Sequence, residues 1–269
     1  MKIKQLERLS ARQLGALALT AAEVPALRVC ARLSWLWVLL GGLGAAAGLS
    51  VLTVRRNRRA GQPILRRPGG AARGLWKLLL LALALPAAME AAASFPETAR
   101  SPLAAALILI LAWCAARQGA EAAGRCAGIL LWITGALCAA VLVFSLPGLH
   151  PAWLRPAGSP LDALIAFAAL LIPGAALGLS PALEAGERVP HWPWWGGAGL
   201  AVAASLVTGG ILSPALARRP EAFRTLARGV SVLGVIRRFE ALVNAAMLMS
   251  GFCLCTLLLT VLLRPTARQ

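Results

Sequence analysis

The sequence is poor in the residues from which soluble enzymes build their sites. Charged residues make up 14% of the 269 positions, against about 25% in soluble domains. Tyrosine is absent, and the two histidines, His150 and His191, lie in different loops without a cysteine spacing typical of zinc. No GxSxG, P-loop or HExxH motif is present. We therefore predict no enzyme, no catalytic residue, no metal and no cofactor.

Apolar residues are abundant instead. Hydrophobic residues account for 59% of the chain, and the mean hydropathy is +0.75. A soluble core does not need so much apolar sequence, whereas each membrane helix needs about 20 mostly apolar residues. The composition predicts an all-α integral membrane protein in contact with the lipid bilayer.

Eight apolar segments can be recognised between a polar tail at 1–13 and a short tail at 264–269. Glu23 and Pro25 interrupt the first segment, which argues against a signal peptide and for a short membrane helix. Together the segments predict a polytopic transmembrane domain over 14–263. They cover 14–27, 33–54, 75–95, 102–116, 126–146, 161–183, 194–212 and 239–263.

The net charge of +17 does not indicate nucleic-acid binding, because no basic motif is interleaved with aromatic residues. Basic residues of membrane proteins collect in cytoplasmic loops. With eight spans and a cytoplasmic N-terminus, 17 basic residues lie inside and 10 outside. We expect both termini in the cytoplasm. The loop 213–238, with six arginines, violates this rule on the outer side.

Small and polar residues within the segments allow further predictions. The six cysteines are interpreted as small buried hydrophobic residues. Three glycine pairs with GxxxG spacing favour close helix packing within one bundle. They are Gly44 and Gly48, Gly124 and Gly128, and Gly174 and Gly178.

Two carboxylates, Glu23 and Glu90, lie in the interior of apolar segments, away from their first residues. An ionisable group in a membrane is costly and usually faces a polar cavity or a partner. Two other interpretations stay open. Glu90 is near enough to Pro96 to reach water, and Glu23 is near an interface if the first segment is half-inserted.

The order of the polar landmarks carries more information than any one of them. The tail reads LSARQ, an apolar run ends in AARQGAEAAGR, and ARGVSVLGVIRRFEALV opens the last segment. This series resembles the spore-germination permeases of the GerAB type, in the amino acid–polyamine–organocation transporter superfamily. The resemblance covers nearly the whole chain. The matching residues are Ser10, Gln13, Gly119, Glu121, Arg125, Pro147, Pro156, Gly209 or Gly210, Pro214, Arg228, Arg238 and Glu240.

The resemblance implies a bundle of the inverted-repeat transporter type, with discontinuous first and sixth helices around a midplane site. It implies a shortened, divergent member in which the last two helices of the family have no counterpart. The loop 213–238 would be an outer, partly helical capping segment. The protein would be one membrane subunit of a nutrient germinant receptor in the spore inner membrane. Its partners would be a large soluble-domain subunit and a lipoprotein subunit.

A ligand site between the first and sixth segments follows as a hypothesis. An amino acid would place its carboxylate at a freed helix N-terminus and its amine near Glu23. The substrate-binding residues would be Thr20, Ala21, Glu23, Pro173, Gly174 and Gly178. Two alternatives remain: a non-transporting structural or assembly subunit of a sporulation complex, or an unrelated small-molecule transporter.

Overall fold

The described part of the chain is helical. In the computed structural model it contains α-helices, short 3₁₀ helices and turns, and no strand occurs within it. The prediction of an all-α protein is therefore confirmed for this part. The structure describes residues 10–58, 70–94, 102–118, 120–154, 158–178, 190–219, 221–230 and 239–263.

Each of the eight predicted segments corresponds to one long helix in the described ranges. Two shorter helices, α8 (Pro214–Ala217) and α9 (Ala222–Gly229), lie between the last two long ones. The long helices are α1 (Ala11–Arg28), α2 (Trp35–Arg58), α3 (Gly70–Ala92), α4 (Pro102–Gln118), α5 (Ala120–Ser145), α6 (Pro160–Gly178), α7 (Trp192–Ile211) and α10 (Phe239–Leu263).

Helix α1 begins at a capping box. The backbone N–H of Gln13 donates to the Ser10 hydroxyl at 3.2 Å, and the Gln13 side-chain oxygen accepts from the Ser10 N–H at 2.9 Å. This reciprocal pair satisfies two donors that a helix start leaves unbonded. The two residues that match the N-terminal family motif thus have a local structural role.

The prediction that the first and sixth helices are discontinuous is wrong. Helix α1 continues through Pro25, and α6 is helical from Pro160 to Gly178. Proline removes one intrahelical hydrogen bond. Pro25 lies only three residues before the end of α1, where the N–H of Val29 still donates to the Pro25 carbonyl at 3.0 Å. The helix therefore loses one bond without breaking.

Contacts at the two ends of the bundle fix the direction of the helices. The Trp192 ring lies against Gly15, so α1 and α7 begin at the same end. At the opposite end, which we call the α9 end, Arg28 of α1 bonds to Glu90 and Ser94 at the end of α3. Thr20 and Glu23 of α1 contact Ala127 and Thr134 of α5, in the same order along both helices. Helices α1, α3, α5 and α7 therefore run in one direction.

Five of the described helices are long and apolar enough to cross a membrane. Three shorter apolar helices cover Leu80–Ala92, Pro102–Gln118 and Pro160–Leu171. Of the five, the one that begins at Ala11 is the most buried within the bundle. Such helices are typical of an integral membrane protein. The central position of α1 places whatever polar group it carries inside the bundle.

Candidate functional site

Glu23 is the polar group that α1 brings into the centre of the bundle. Glu23 is only 3% exposed to solvent. The Thr134 hydroxyl of α5 donates to Oε1 at 2.7 Å, and the Ser250 hydroxyl of α10 donates to Oε2 at 2.8 Å. Each carboxyl oxygen thus accepts one hydrogen bond, and three helices meet at one side chain.

The two hydroxyls are directed at the carboxyl group and not at their own helices. Serine and threonine in membrane helices commonly donate to a backbone carbonyl one turn earlier. The Thr134 hydroxyl is 3.5 Å from the Leu131 carbonyl oxygen but 2.7 Å from Glu23. Because a hydroxyl has one proton, the shorter contact to Glu23 takes it. The arrangement stabilises a carboxyl group where water is scarce.

A small cavity lies beside the carboxyl group. The volume open to the centre of a water molecule is about 10 Å³, which is about the requirement of one water. In this arrangement it has room for a water or a small cation and not for an amino acid. Its lining combines α1, α5 and α10: Glu23, Val24, Leu27, Thr134, Leu137, Cys138, Val243, Ala246, Met247 and Ser250.

A second polar group lies at the α9 end and includes part of the six-arginine loop. Arg224 of α9 is 7% exposed. Its Nε donates to Asn244 Oδ1 at 2.8 Å, a terminal nitrogen donates to the Ala93 carbonyl oxygen, and Glu221 lies at 3.3 Å. Arg228 pairs with Glu240 at 2.8 Å. Two of the six arginines thus form ion pairs within the protein, which would explain a departure from the positive-inside rule under the predicted topology.

The predicted α1 residues face different neighbours. The Thr20 hydroxyl approaches the Ala127 carbonyl oxygen of α5 at 3.5 Å, and Ala21 is buried in the apolar core. Gly174 of α6 lies against Leu49 of α2. Helices α1 and α6 do pack together, but the described polar partners of Glu23 come from α5 and α10. The structure thus places the polar cavity on a different side of α1 from α6.

The remaining predicted site residues, Pro173 and Gly178, belong to α6. Their surroundings lie outside the residues that the structure describes. Gly119, Pro156 and Arg238, which match the family motif, also lie outside them.

The described residues of the family motif occupy helix ends. Glu121 and Arg125 form an ion pair in the first turns of α5, as their (i, i+4) spacing predicts. Pro214 begins α8, where a proline is well tolerated because its missing N–H would have no partner. Glu240 lies in the first turn of α10 and pairs with Arg228. These residues connect or terminate helices, and none of them lines the Glu23 cavity.

Sequence reasoning singled out Glu23 but missed its partners. Thr134 and Ser250 are ordinary hydroxyl residues in long apolar helices, 111 and 227 positions from Glu23. The available signal was that both are polar residues within predicted membrane helices, where such residues often bond to a neighbouring helix. That signal does not say which hydroxyl meets which acid.

No family model matches the chain, and no curated protein matches it.

Proposed function

We propose that the chain is a permease-like membrane subunit of a nutrient germinant receptor, resembling the GerAB type, that senses a small molecule with an amine group. Glu23 would accept the amine, with Thr134 and Ser250 holding the carboxyl group in place. The ligand class would include amino acids, for which the cavity beside Glu23 would have to widen from its present size of about one water molecule. The large soluble-domain subunit and the lipoprotein subunit would be its partners in the spore inner membrane.

The observation that carries this proposal is the buried carboxyl group of Glu23. A membrane helix rarely carries an ionisable residue in its centre without a functional reason. Here the group faces a cavity, and the two groups that bond to it are uncharged hydroxyls. A positively charged ligand would find its complementary charge at this place.

The proposed topology has eight passes and cytoplasmic termini. The parallel directions of α1, α3, α5 and α7 support it, because the helices between them must then return. Under this topology the α9 end faces outward, and the basic stretch 55–77 lies inside, as the positive-inside rule favours. The inverted-repeat arrangement that the resemblance implies stays part of the proposal, without a break in α1 or α6.

Replacement of Glu23 tests the proposal. We expect Glu23→Gln to weaken the germination response to amino acids, because glutamine keeps two side-chain hydrogen-bond groups but has no negative charge. Germination would be followed as the loss of optical density of spores that carry the variant with its partner subunits. Glu90→Gln is the matched control, since it removes the other carboxylate from the interior of the apolar segments and leaves the cavity intact.

An unchanged response of Glu23→Gln spores, with normal amounts of the protein in the spore membrane, would contradict the role of Glu23. A loss of response that Glu90→Gln reproduces equally would also contradict it, because any loss of intramembrane charge would then have the same effect.

A structural or assembly subunit without a ligand is the second candidate function. The continuous helices α1 and α6 and the water-sized cavity favour it. Under this function Glu23→Gln and Thr134→Val would lower the amount of assembled receptor without changing the amino-acid concentration that gives half-maximal germination. If the protein senses an amine ligand instead, Glu23→Gln would raise the amino-acid concentration that gives half-maximal germination, at constant receptor abundance.

A further inference from the structure

A second cavity lies next to the Glu23 cavity, toward the α9 end. Its lining comes from α1, α10 and the region of α9: Leu27, Arg28, Glu221, Phe223, Arg224 and Met247. Leu27 and Met247 line both cavities. The two spaces are therefore neighbours, and these two side chains form a common wall.

The common wall follows from helix geometry. Leu27 lies four residues after Glu23 on α1, and Met247 lies three residues before Ser250 on α10. Residues at these spacings share one face of a helix. Leu27 is 3% exposed and Met247 is 6% exposed. Each side chain thus lies on the face that carries the polar group of the Glu23 site, one turn closer to the α9 end.

The chemistry of the wall suits a barrier that can open. Both side chains are apolar, so they oppose the passage of a hydrated cation when they touch. Methionine is unbranched and flexible, and it changes its shape at small cost. Beyond the wall, the lining of the second cavity includes charged side chains, with Arg28 paired to Glu90 and Arg224 paired to Glu221.

We propose that Leu27 and Met247 form a hydrophobic constriction, and that a small cationic ligand reaches Glu23 through it from the α9 end. The inference deepens the proposed function and rests on it for the identity of the ligand. The route itself is a property of the bundle and can be tested without a germinant.

A native cysteine provides the reporter. Cys138 of α5 lines the Glu23 cavity and is buried. In a variant that keeps Cys138 and replaces the other five cysteines with alanine, the rate of modification by a small cationic methanethiosulfonate reports access to the cavity. We expect Met247→Ala to raise this rate several-fold, because it removes most of one side of the wall.

Met249→Ala is the matched control. It removes the same side chain from the same helix two residues away, where the methionine is 56% exposed on the outside of the bundle. We expect the rate at Cys138 to stay at the starting value. A parallel variant that keeps only Cys255, which is buried outside both cavities, distinguishes opening of the wall from general loosening. Its rate must not rise with Met247→Ala.

Vesicles of the two orientations test the direction. A membrane-impermeant reagent should modify Cys138 of Met247→Ala faster from the side that exposes the α9 end. No acceleration in Met247→Ala, equal acceleration in Met249→Ala, or faster modification from the opposite side would each overturn the route. The proposed amine recognition fails separately, if Glu23→Gln leaves the germination response unchanged while the labelling pattern is as expected.

Discussion

Glu23 and Glu90 are the same residue type in two apolar segments, yet the structure gives them opposite surroundings. Glu23 is 3% exposed and accepts two hydroxyl hydrogen bonds from α5 and α10. The Glu90 side chain is 50% exposed and pairs with Arg28 at 3.3 Å. One carboxylate is enclosed and bonded to neutral groups, and the other is half open and paired with a charge.

The difference shows that the position of an acidic residue along an apolar run does not determine the free-energy cost of placing it there. Glu90 lies in the last turn of α3, close to the α9 end, where it pairs with Arg28. Only the Glu90 partner of this pair is half exposed, since the Arg28 side chain is 11% exposed, and exposure of one partner weakens the contribution of the pair to stability. Glu23 lies on the most buried of the spanning helices, so its cost must be offset by bonds made within the bundle.

Charge reversal should give the largest difference in stability between variants at Glu23 and variants at Glu90. Glu23→Lys inserts a longer side chain into a cavity of water size and removes the acceptor for two buried hydroxyls. We expect a loss of at least about 3 kcal/mol of stability. Glu90→Lys places its charge in a half-exposed position, where the long side chain can turn away from Arg28, and we expect a smaller loss.

Thermal unfolding of the purified variants in detergent, followed by the loss of monodisperse protein on heating, measures both effects. Equal destabilisation of the two variants would contradict the difference in burial on which the comparison is based.

Removal of the hydroxyl partners should have an intermediate effect. Thr134→Val keeps the shape of the side chain and removes one hydrogen bond to the buried carboxyl group, which should cost about 1–3 kcal/mol. At the other acid, Ser94→Ala removes a hydroxyl that bonds to Arg28. Arg28 keeps its ion pair with Glu90 in this variant. We therefore expect a smaller loss.

A double-mutant cycle sharpens this test. In a Glu23→Leu background, Thr134→Val should cost much less than in the native chain, because the hydroxyl no longer has an acid to bond. The same cost in both backgrounds would show that Thr134 acts through packing and not through Glu23.

Neutralisation of Glu90 should have the smallest effect. Glu90→Gln removes the charge of a half-exposed side chain, and we expect a loss below about 1 kcal/mol. The difference from native protein should shrink as salt concentration rises, since exposed pairs are screened. If the melting temperature of Glu90→Gln falls as far as that of Thr134→Val, Glu90 contributes as much to stability as a buried group, and the comparison is contradicted.

The helices themselves could be predicted from the sequence. Eight apolar runs gave eight long helices in the described ranges, because an apolar run in a membrane has to satisfy its backbone hydrogen bonds internally. The boundaries were less accurate where polar residues continue a helix. Helix α5 begins at Ala120, six residues before the predicted start at 126, since Glu121 and Arg125 pair along its first turns.

The predicted break in α1 shows a limit of reasoning from resemblance and single residues. The resemblance implied a discontinuous first helix, and Pro25 interrupts that apolar segment, but a proline close to the end of a helix does not have to break it. In α1, Pro25 leaves only the Ala21 carbonyl group without its N–H donor four residues on, and the last turn is still closed by the bond from the Val29 N–H to the Pro25 carbonyl. The local position, and not the residue type, determines the outcome.

The loop 213–238 shows a different limit. Counting arginines in a loop assumes that they face lipid headgroups or water, but Arg224 is buried between α9, α10 and the end of α3. Its guanidinium group bonds to Glu221, Asn244 and the Ala93 carbonyl group. Nothing in the local sequence indicates that Ala93 lies beside Arg224.

By itself, the sequence determined the membrane class, the all-helical architecture and the presence of two acids in the interior of apolar segments. These properties depend on composition and on runs of neighbouring residues. Only the tertiary structure determined which acid is enclosed, which hydroxyls bond to it and that the cavity lies among α1, α5 and α10. These properties depend on contacts between residues more than 100 positions apart, and the packing of whole helices decides them.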